Sequence, residues 1–187
     1  MAQTFPLAYD GNAGSSVISV STQGAVERSR HESWGQNITM TTSDEAAFNV
    51  TPYRVIYGDT DKMGVVYYAN YLRWFERGRC EFLRQSGTPY GEIEARGIHF
   101  PVVEAHCHYA KPARFDDLVL IETRLNLLSR ATLIFGYRIL REGESQLLAA
   151  GSTKHACVDG AGKVIRIPID LVRTLEQVVA QGTEKTI

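Results

Sequence analysis

Between Asn70 and Gln85 apolar side chains at Tyr71, Leu72, Trp74, Phe75, Phe82 and Leu83 recur at helical spacing, which predicts an amphipathic helix over 70–85. Ser86, Gly87 and Pro89 supply its stop signal. Gly78 lies inside that stretch, at a cost of about 1 kcal/mol relative to alanine, so a close approach to a sheet is expected there. Downstream the period falls to two: Val103, Ala105, Cys107 and Tyr109, then Val119 to Leu127, then Ala131 to Ile139, each alternate along one face of a strand. Further strands are expected over 52–58, 146–158 and 163–167, with turns at Ser129-Arg130, at Gly143 and at Asp159-Gly160-Ala161-Gly162. A short amphipathic helix over 168–181 closes the pattern. One long helix followed by four or five antiparallel strands predicts an α+β domain with the helix laid over one sheet face, an order that several folds share.

Residues 1–49 break that pattern. They hold one leucine, Leu7, and no lysine, with Gly, Ser, Thr, Gln and Asn in no period, so they read as a disordered extension ahead of a domain over 50–187. Met40, just before the domain, is a second possible start of translation. Twenty basic side chains against 21 acidic ones, with no basic run, argue against nucleic acid as a partner and leave an anionic ligand to a few placed cations. Cys80, Cys107 and Cys157 are odd in number, lack a Cys-x-x-Cys pair and follow no export leader, so a reducing cytoplasm is expected. No apolar run approaches the roughly 20 residues that span a bilayer, which argues against insertion in a membrane.

The chemistry concentrates between Thr51 and Arg79. An extended run there ends in Asp59, Asp61 and Gly64 immediately before the long helix, which aims a carboxylate at a helix N-terminus. Unpaired N–H groups and the positive end of the helix dipole stabilise a carbonyl oxygen that gains negative charge, so the arrangement suits acyl transfer. Gly64 fits either a left-handed backbone or close approach of a ligand, and Asp59 fits a turn-bonding role. A calcium loop is excluded, since Met63 stands at the fifth position, where an oxygen ligand is needed, and Asn70 at the twelfth, where a bidentate Glu is needed. His106-Cys107-His108 cannot converge on a metal from one strand, because Cys107 faces away from both histidines. No Gly-x-Ser-x-Gly elbow is present, and no base stands beside Cys80 or Cys157.

Asp59-Thr60-Asp61-Lys62-Met63-Gly64-Val65-Val66-Tyr67-Tyr68-Ala69-Asn70-Tyr71, followed downstream by Tyr109-Ala110-Lys111-Pro112-Ala113-Arg114-Phe115-Asp116-Asp117, closely resembles the 4-hydroxybenzoyl-CoA thioesterase family of hotdog-fold acyl-CoA thioesterases, including its Tol-Pal-associated type. The resemblance covers about residues 50–180. It implies a hotdog fold, hydrolysis of an acyl-CoA thioester to free acid and coenzyme A, Asp61 as nucleophile or general base, and the Tyr68 N–H as oxyanion donor. It also implies Lys111 and Arg130 as coenzyme A phosphate contacts, with Arg114 able to replace either, and a homodimer or homotetramer whose sites lie between subunits. Neither a metal nor a cofactor is called for, since coenzyme A arrives as part of the substrate. Two alternatives accompany this reading: an acyl-CoA-binding module with no need for Asp61, and an enoyl-CoA hydratase pairing Asp61 with a distant histidine such as His99 or His155.

Overall fold

The computed structural model describes residues 49–144 and 146–183. The extension expected over residues 1–49 lies, up to position 48, outside the described residues. A five-stranded antiparallel sheet has the order β1-β4-β5-β6-β3, built from β1 (Asn49–Arg54), β3 (Val102–Tyr109), β4 (Leu118–Leu128), β5 (Thr132–Arg141) and β6 (Gln146–Ala156). Two short strands, β2 (Ile98–His99) and β7 (Val158–Asp159), pair beside it. Helix α1 (Asn70–Gln85) lies on one face of the sheet; α2 (Tyr90–Ala95) follows it, and α3 (Ile169–Thr183) ends the described chain. This is the α+β hotdog arrangement, a helix wrapped by an antiparallel sheet.

The sequence periods become packing directly. Along β4 every second residue from Val119 to Leu125 is buried, and these residues meet the buried stripe of α1. Phe75 stacks on Tyr137 with centroids 4.3 Å apart and planes 6° apart, and Phe82 meets Phe135 edge-on at 5.6 Å. Gly78 has the expected reason: a Cβ there would overlap the Thr123 hydroxyl and come 2.7 Å from Ile121 Cγ2. The helix stops as its composition predicts, with Gly87 at φ +75° and Thr88 N–H returning to Leu83 C=O at 3.0 Å.

Three expectations need correction. The first strand ends at Arg54 rather than Gly58, because the Asp59 carboxylate accepts the Ile56 N–H at 3.1 Å and folds 57–59 into a 3₁₀ turn. Residues 163–167 form one bridge, Val164 to Val158, and otherwise run as a connection tied by Ile165 N–H to Cys157 C=O and Ile167 N–H to Arg130 C=O, both 2.9 Å. Helix α2 is additional, started by Pro89, whose carbonyl accepts Glu92 N–H at 2.9 Å. The outer edge strand β3 pairs only with β6 among the described residues, and its side chains are exposed except the half-buried Cys107. No helix among the described residues is long and apolar enough to cross a membrane.

Candidate active site

Asp59 is the anchor of the loop that leads to α1. Its buried carboxylate accepts hydrogen bonds from the Tyr53 hydroxyl (2.7 Å) and the Ile56 N–H, while its main-chain oxygen accepts from Tyr67 N–H (2.8 Å) and the Asn70 side-chain amide (2.9 Å). A small hairpin follows: Thr60 bridges Val66, Asp61 N–H donates to Val65 C=O, and Gly64 N–H returns to Asp61 C=O, both at 2.9 Å. Gly64 has φ +71° and nothing within 4 Å of an added Cβ, so backbone conformation selects glycine there, not crowding. Asp61 is thereby held half-buried at the hairpin tip. One of its oxygens accepts Met63 N–H at 2.8 Å, and the other accepts no hydrogen bond from the described residues.

The start of α1 supplies the complementary donor. Tyr67 C=O accepts Asn70 N–H at 2.9 Å, and Tyr68 C=O accepts both Tyr71 N–H at 3.3 Å and the Tyr109 hydroxyl at 3.1 Å. Between them the Tyr68 N–H has no acceptor among the described residues, and α1 begins without a side-chain cap. A carboxylate and an unpaired helix-start N–H on one short loop are the two groups an acyl transfer needs.

The second motif packs onto the first. Val66 N–H donates to Ala113 C=O (2.9 Å), Ala113 N–H donates to the Tyr71 hydroxyl (3.0 Å), and the Arg114 guanidinium reaches Gly64 C=O (3.4 Å). Asp117 braces this segment by accepting Arg114 N–H at 2.8 Å and the Arg141 guanidinium at 3.0 and 3.2 Å, while Arg141 also donates to Pro112 C=O at 3.1 Å. A hollow of about 250 Å³ lies between the motifs, lined by Val65, Tyr68, Tyr71, Tyr109, Lys111 and Pro112 among others. Burial raises the Tyr71 hydroxyl pKa, and burial with the Cys107 contact pushes Tyr109 up to about 12, so both stay protonated over the working range. Burial also raises the thiols of Cys80, Cys107 and Cys157, which disfavours the thiolate a cysteine nucleophile requires.

Of the residues read from the sequence, Asp61, Gly64, Tyr68 and Lys111 therefore share one end of the sheet. Arg130 does not join them within the chain: it follows Leu128 at the far end of β4, about 30 Å along the strands from the Asp117 end. There it borders a second hollow of about 520 Å³ with Arg166, Leu128, Ile169 and Glu176, and neither arginine has a carboxylate within 4 Å among the described residues. Arg166 carries no signal of its own in the sequence; the Ile167 N–H bond to Arg130 C=O brings it alongside. Tyr109 and Arg141 were likewise unmarked as site residues, since their partners stand about 40 and 24 positions away.

His99 and His155 are placed away from Asp61. His155 is fully buried, its ring bonded to Phe100 C=O (2.9 Å) and to the Thr153 hydroxyl (2.8 Å), which meets the Tyr137 hydroxyl at 2.7 Å. His155 pairs with Val102, and His99 precedes that strand, so both lie at the opposite end of β3 from Tyr109, about 20 Å away. An Asp61–histidine pair is absent from this chain's described residues.

The family model of the thioesterase-like superfamily matches residues 55–178. The acyl-CoA thioesterase YbgC of Haemophilus influenzae is 39% identical over 63% of this chain and 86% of its own length. A hypothetical protein from Thermus thermophilus superposes with TM-score 0.66 at 45% identity, covering 69% of this chain and 98% of that one. A 4-hydroxybenzoyl CoA thioesterase mutant complexed with 4-hydroxybenzoyl CoA shares the fold at TM-score 0.63 and 23% identity, over 68% of this chain and 98% of that one.

Proposed function

The chain belongs to the thioesterase-like superfamily and hydrolyses acyl-CoA thioesters to free acid and coenzyme A, and we propose that Asp61 carries the reaction with the Tyr68 N–H as its oxyanion donor. The observation that carries this reading is the pairing of a carboxylate with one uncommitted oxygen and an N–H with no acceptor on the same loop. Sulfur donates little into the thioester carbonyl, so the carbon is open to addition. The free Asp61 oxygen either adds there itself or takes a proton from the water that adds; in both routes the carbonyl oxygen becomes negative and is stabilised by the Tyr68 N–H. The C–S bond then breaks, and coenzyme A leaves as a thiolate that takes up a proton; on the first route water then hydrolyses the Asp61–acyl anhydride to free acid and carboxylate, and on the second Asp61 gives back the proton it took from water.

Lys111 borders the hollow beside Tyr68 and is suited to a phosphate of the coenzyme A arm. Arg130 and Arg166 suit the same role from a second copy of the chain. The edge of β3 left unpaired among the described residues supports that assembly, since antiparallel pairing of β3 with its equivalent sets the Tyr109 end of one subunit beside the Val102 end of the other, where Arg130 and Arg166 stand. The reading is therefore a homodimer, able to pair again into a homotetramer. Three cysteines without a disulfide fit a cytoplasmic site of action. Release of free thiol from a panel of short, long and aromatic acyl-CoAs tests the function. Thiol release lost in Asp61→Asn, with acyl-CoA binding kept, is the expected result; full turnover in that variant overturns the assignment.

A further inference from the structure

We propose that Tyr109 is a positioning residue that aims the oxyanion donor from the edge of the sheet; the inference rests on the thioesterase reading above. The peptide unit that carries the Tyr68 N–H is pinned at its own oxygen, because Tyr67 C=O accepts Asn70 N–H at 2.9 Å. The next peptide unit is held through Tyr68 C=O, by Tyr71 N–H at 3.3 Å and by the Tyr109 hydroxyl at 3.1 Å. The donor thus sits between two fixed carbonyls, and the helical bond to the second is the longer one. No side chain caps α1, so the Tyr109 hydroxyl is the one side-chain hydrogen bond to that peptide among the described residues.

The hydroxyl donates to Tyr68 C=O while also meeting the Cys107 thiol. The Tyr109 ring packs edge-on against Tyr71 at 5.2 Å, and Tyr71 spends its own hydroxyl on Ala113 N–H, so the ring is supported while its O–H points at Tyr68. Tyr109 is 44% exposed and lies on β3, whose free edge is the one proposed to meet a second subunit. Pairing of that edge would stiffen the strand that holds the hydroxyl, so the same contact links assembly to the alignment of the donor. A small displacement of a preorganised donor costs rate in the transition state with little effect on ground-state binding.

Tyr109→Phe removes the hydroxyl and keeps the ring. On the acyl-CoA the parent hydrolyses best, kcat should fall about tenfold, short of the ~10²–10³-fold loss of a whole oxyanion donor, with KM within about twofold. A second readout is one that a merely structural role would not move: the infrared carbonyl band of that acyl-CoA, labelled with ¹³C at the thioester carbon and bound to Asp61→Asn so that it persists. Its downward shift should shrink when Tyr109→Phe is added. Parent-like kcat, or an unchanged band, overturns the inference. An inactive parent would overturn the thioesterase reading and this inference together, whereas an active parent with an unaffected variant sinks this inference alone. If Tyr109→Phe fails to fold, Tyr109→Met carries the same comparison, and failure of both makes Tyr109 a stability residue and rejects the proposal.

Discussion

At the scale of the residue, Asp59 and Asp61 are two positions apart and have opposite fates. Asp59 is 5% exposed and its carboxylate is spent on Tyr53 and Ile56, whereas Asp61 keeps an oxygen uncommitted at a hairpin tip. Their amides should separate accordingly. Asp61→Asn is expected to lower kcat by at least ~10²-fold with acyl-CoA affinity nearly unchanged, measured by thiol release and by binding calorimetry. Both donors meet one Asp59 oxygen, so Asp59→Asn can keep the two bonds through its amide oxygen but loses their charge assistance, and is expected to cost about 1 kcal/mol of stability in denaturant unfolding. Activity in that variant should fall only as far as its folded fraction does. Both aspartates are turn-formers by composition alone, and their hydrogen-bond partners show which one is committed to the turn.

At the scale of the element, α1 and the sheet are held at the distance that Gly78 sets. Alanine is the better helix former by about 1 kcal/mol, but its methyl would enter the space of the buried Thr123 hydroxyl and Ile121, and overpacking of this kind costs about 1–3 kcal/mol. The clash outweighs the propensity, so Gly78→Ala should lower the melting temperature. The sheet is tied at its other end by His155. Burial holds this imidazole at a pKa of about 4, the Arg79 charge adds to the depression, and the Phe100 carbonyl opposes it. Because the folded pKa lies below the unfolded value of about 6.5, the unfolded chain binds the extra proton first. The stability contributed by neutral His155 is present above about pH 6.5 and lost as pH falls toward 4. His155→Gln should flatten that part of the melting temperature against pH curve relative to the parent.

At the scale of the whole molecule, the proposed site spans two subunits, and mixing tests this. Asp61→Asn and an Arg130→Ala/Arg166→Ala double variant should each be impaired alone, the second mainly through KM. Co-refolded in equal amounts, they should recover about a quarter of parental activity, since half the dimers would be mixed and each would hold one intact site. Recovery of nothing would place Arg130 outside the site. Sedimentation should show a dimer or larger, and a strictly monomeric, fully active species would contradict the edge pairing of β3. Removal of residues 1–39 should leave melting temperature and turnover nearly unchanged, since no hydrophobic period there prepares a packed element.

What the sequence by itself determined is local and periodic. The stripe from Tyr71 to Leu83 and the alternation from Val119 to Ile139 specify α1 and the central strands, because a period of 3.6 or 2 puts one face of each against a core whatever the neighbours are. Gly64 was legible because its backbone requirement is its own, and Gly78 because a glycine inside a helical stripe costs propensity and so signals close packing. The loop that carries Asp61 and Tyr68 was legible by resemblance, because its motif is contiguous in the chain. The early end of β1 and helix α2 were not, since hydrogen bonds accepted by the Asp59 carboxylate and the Pro89 carbonyl decided them against propensity. Tertiary structure alone brought Tyr109 to Tyr68, Arg141 to Asp117 and Arg166 to Arg130, and carried His155 into the core. Such pairs have no spacing that repeats; strand order and the path of the connections bring them together, and those follow from how the whole apolar surface is covered.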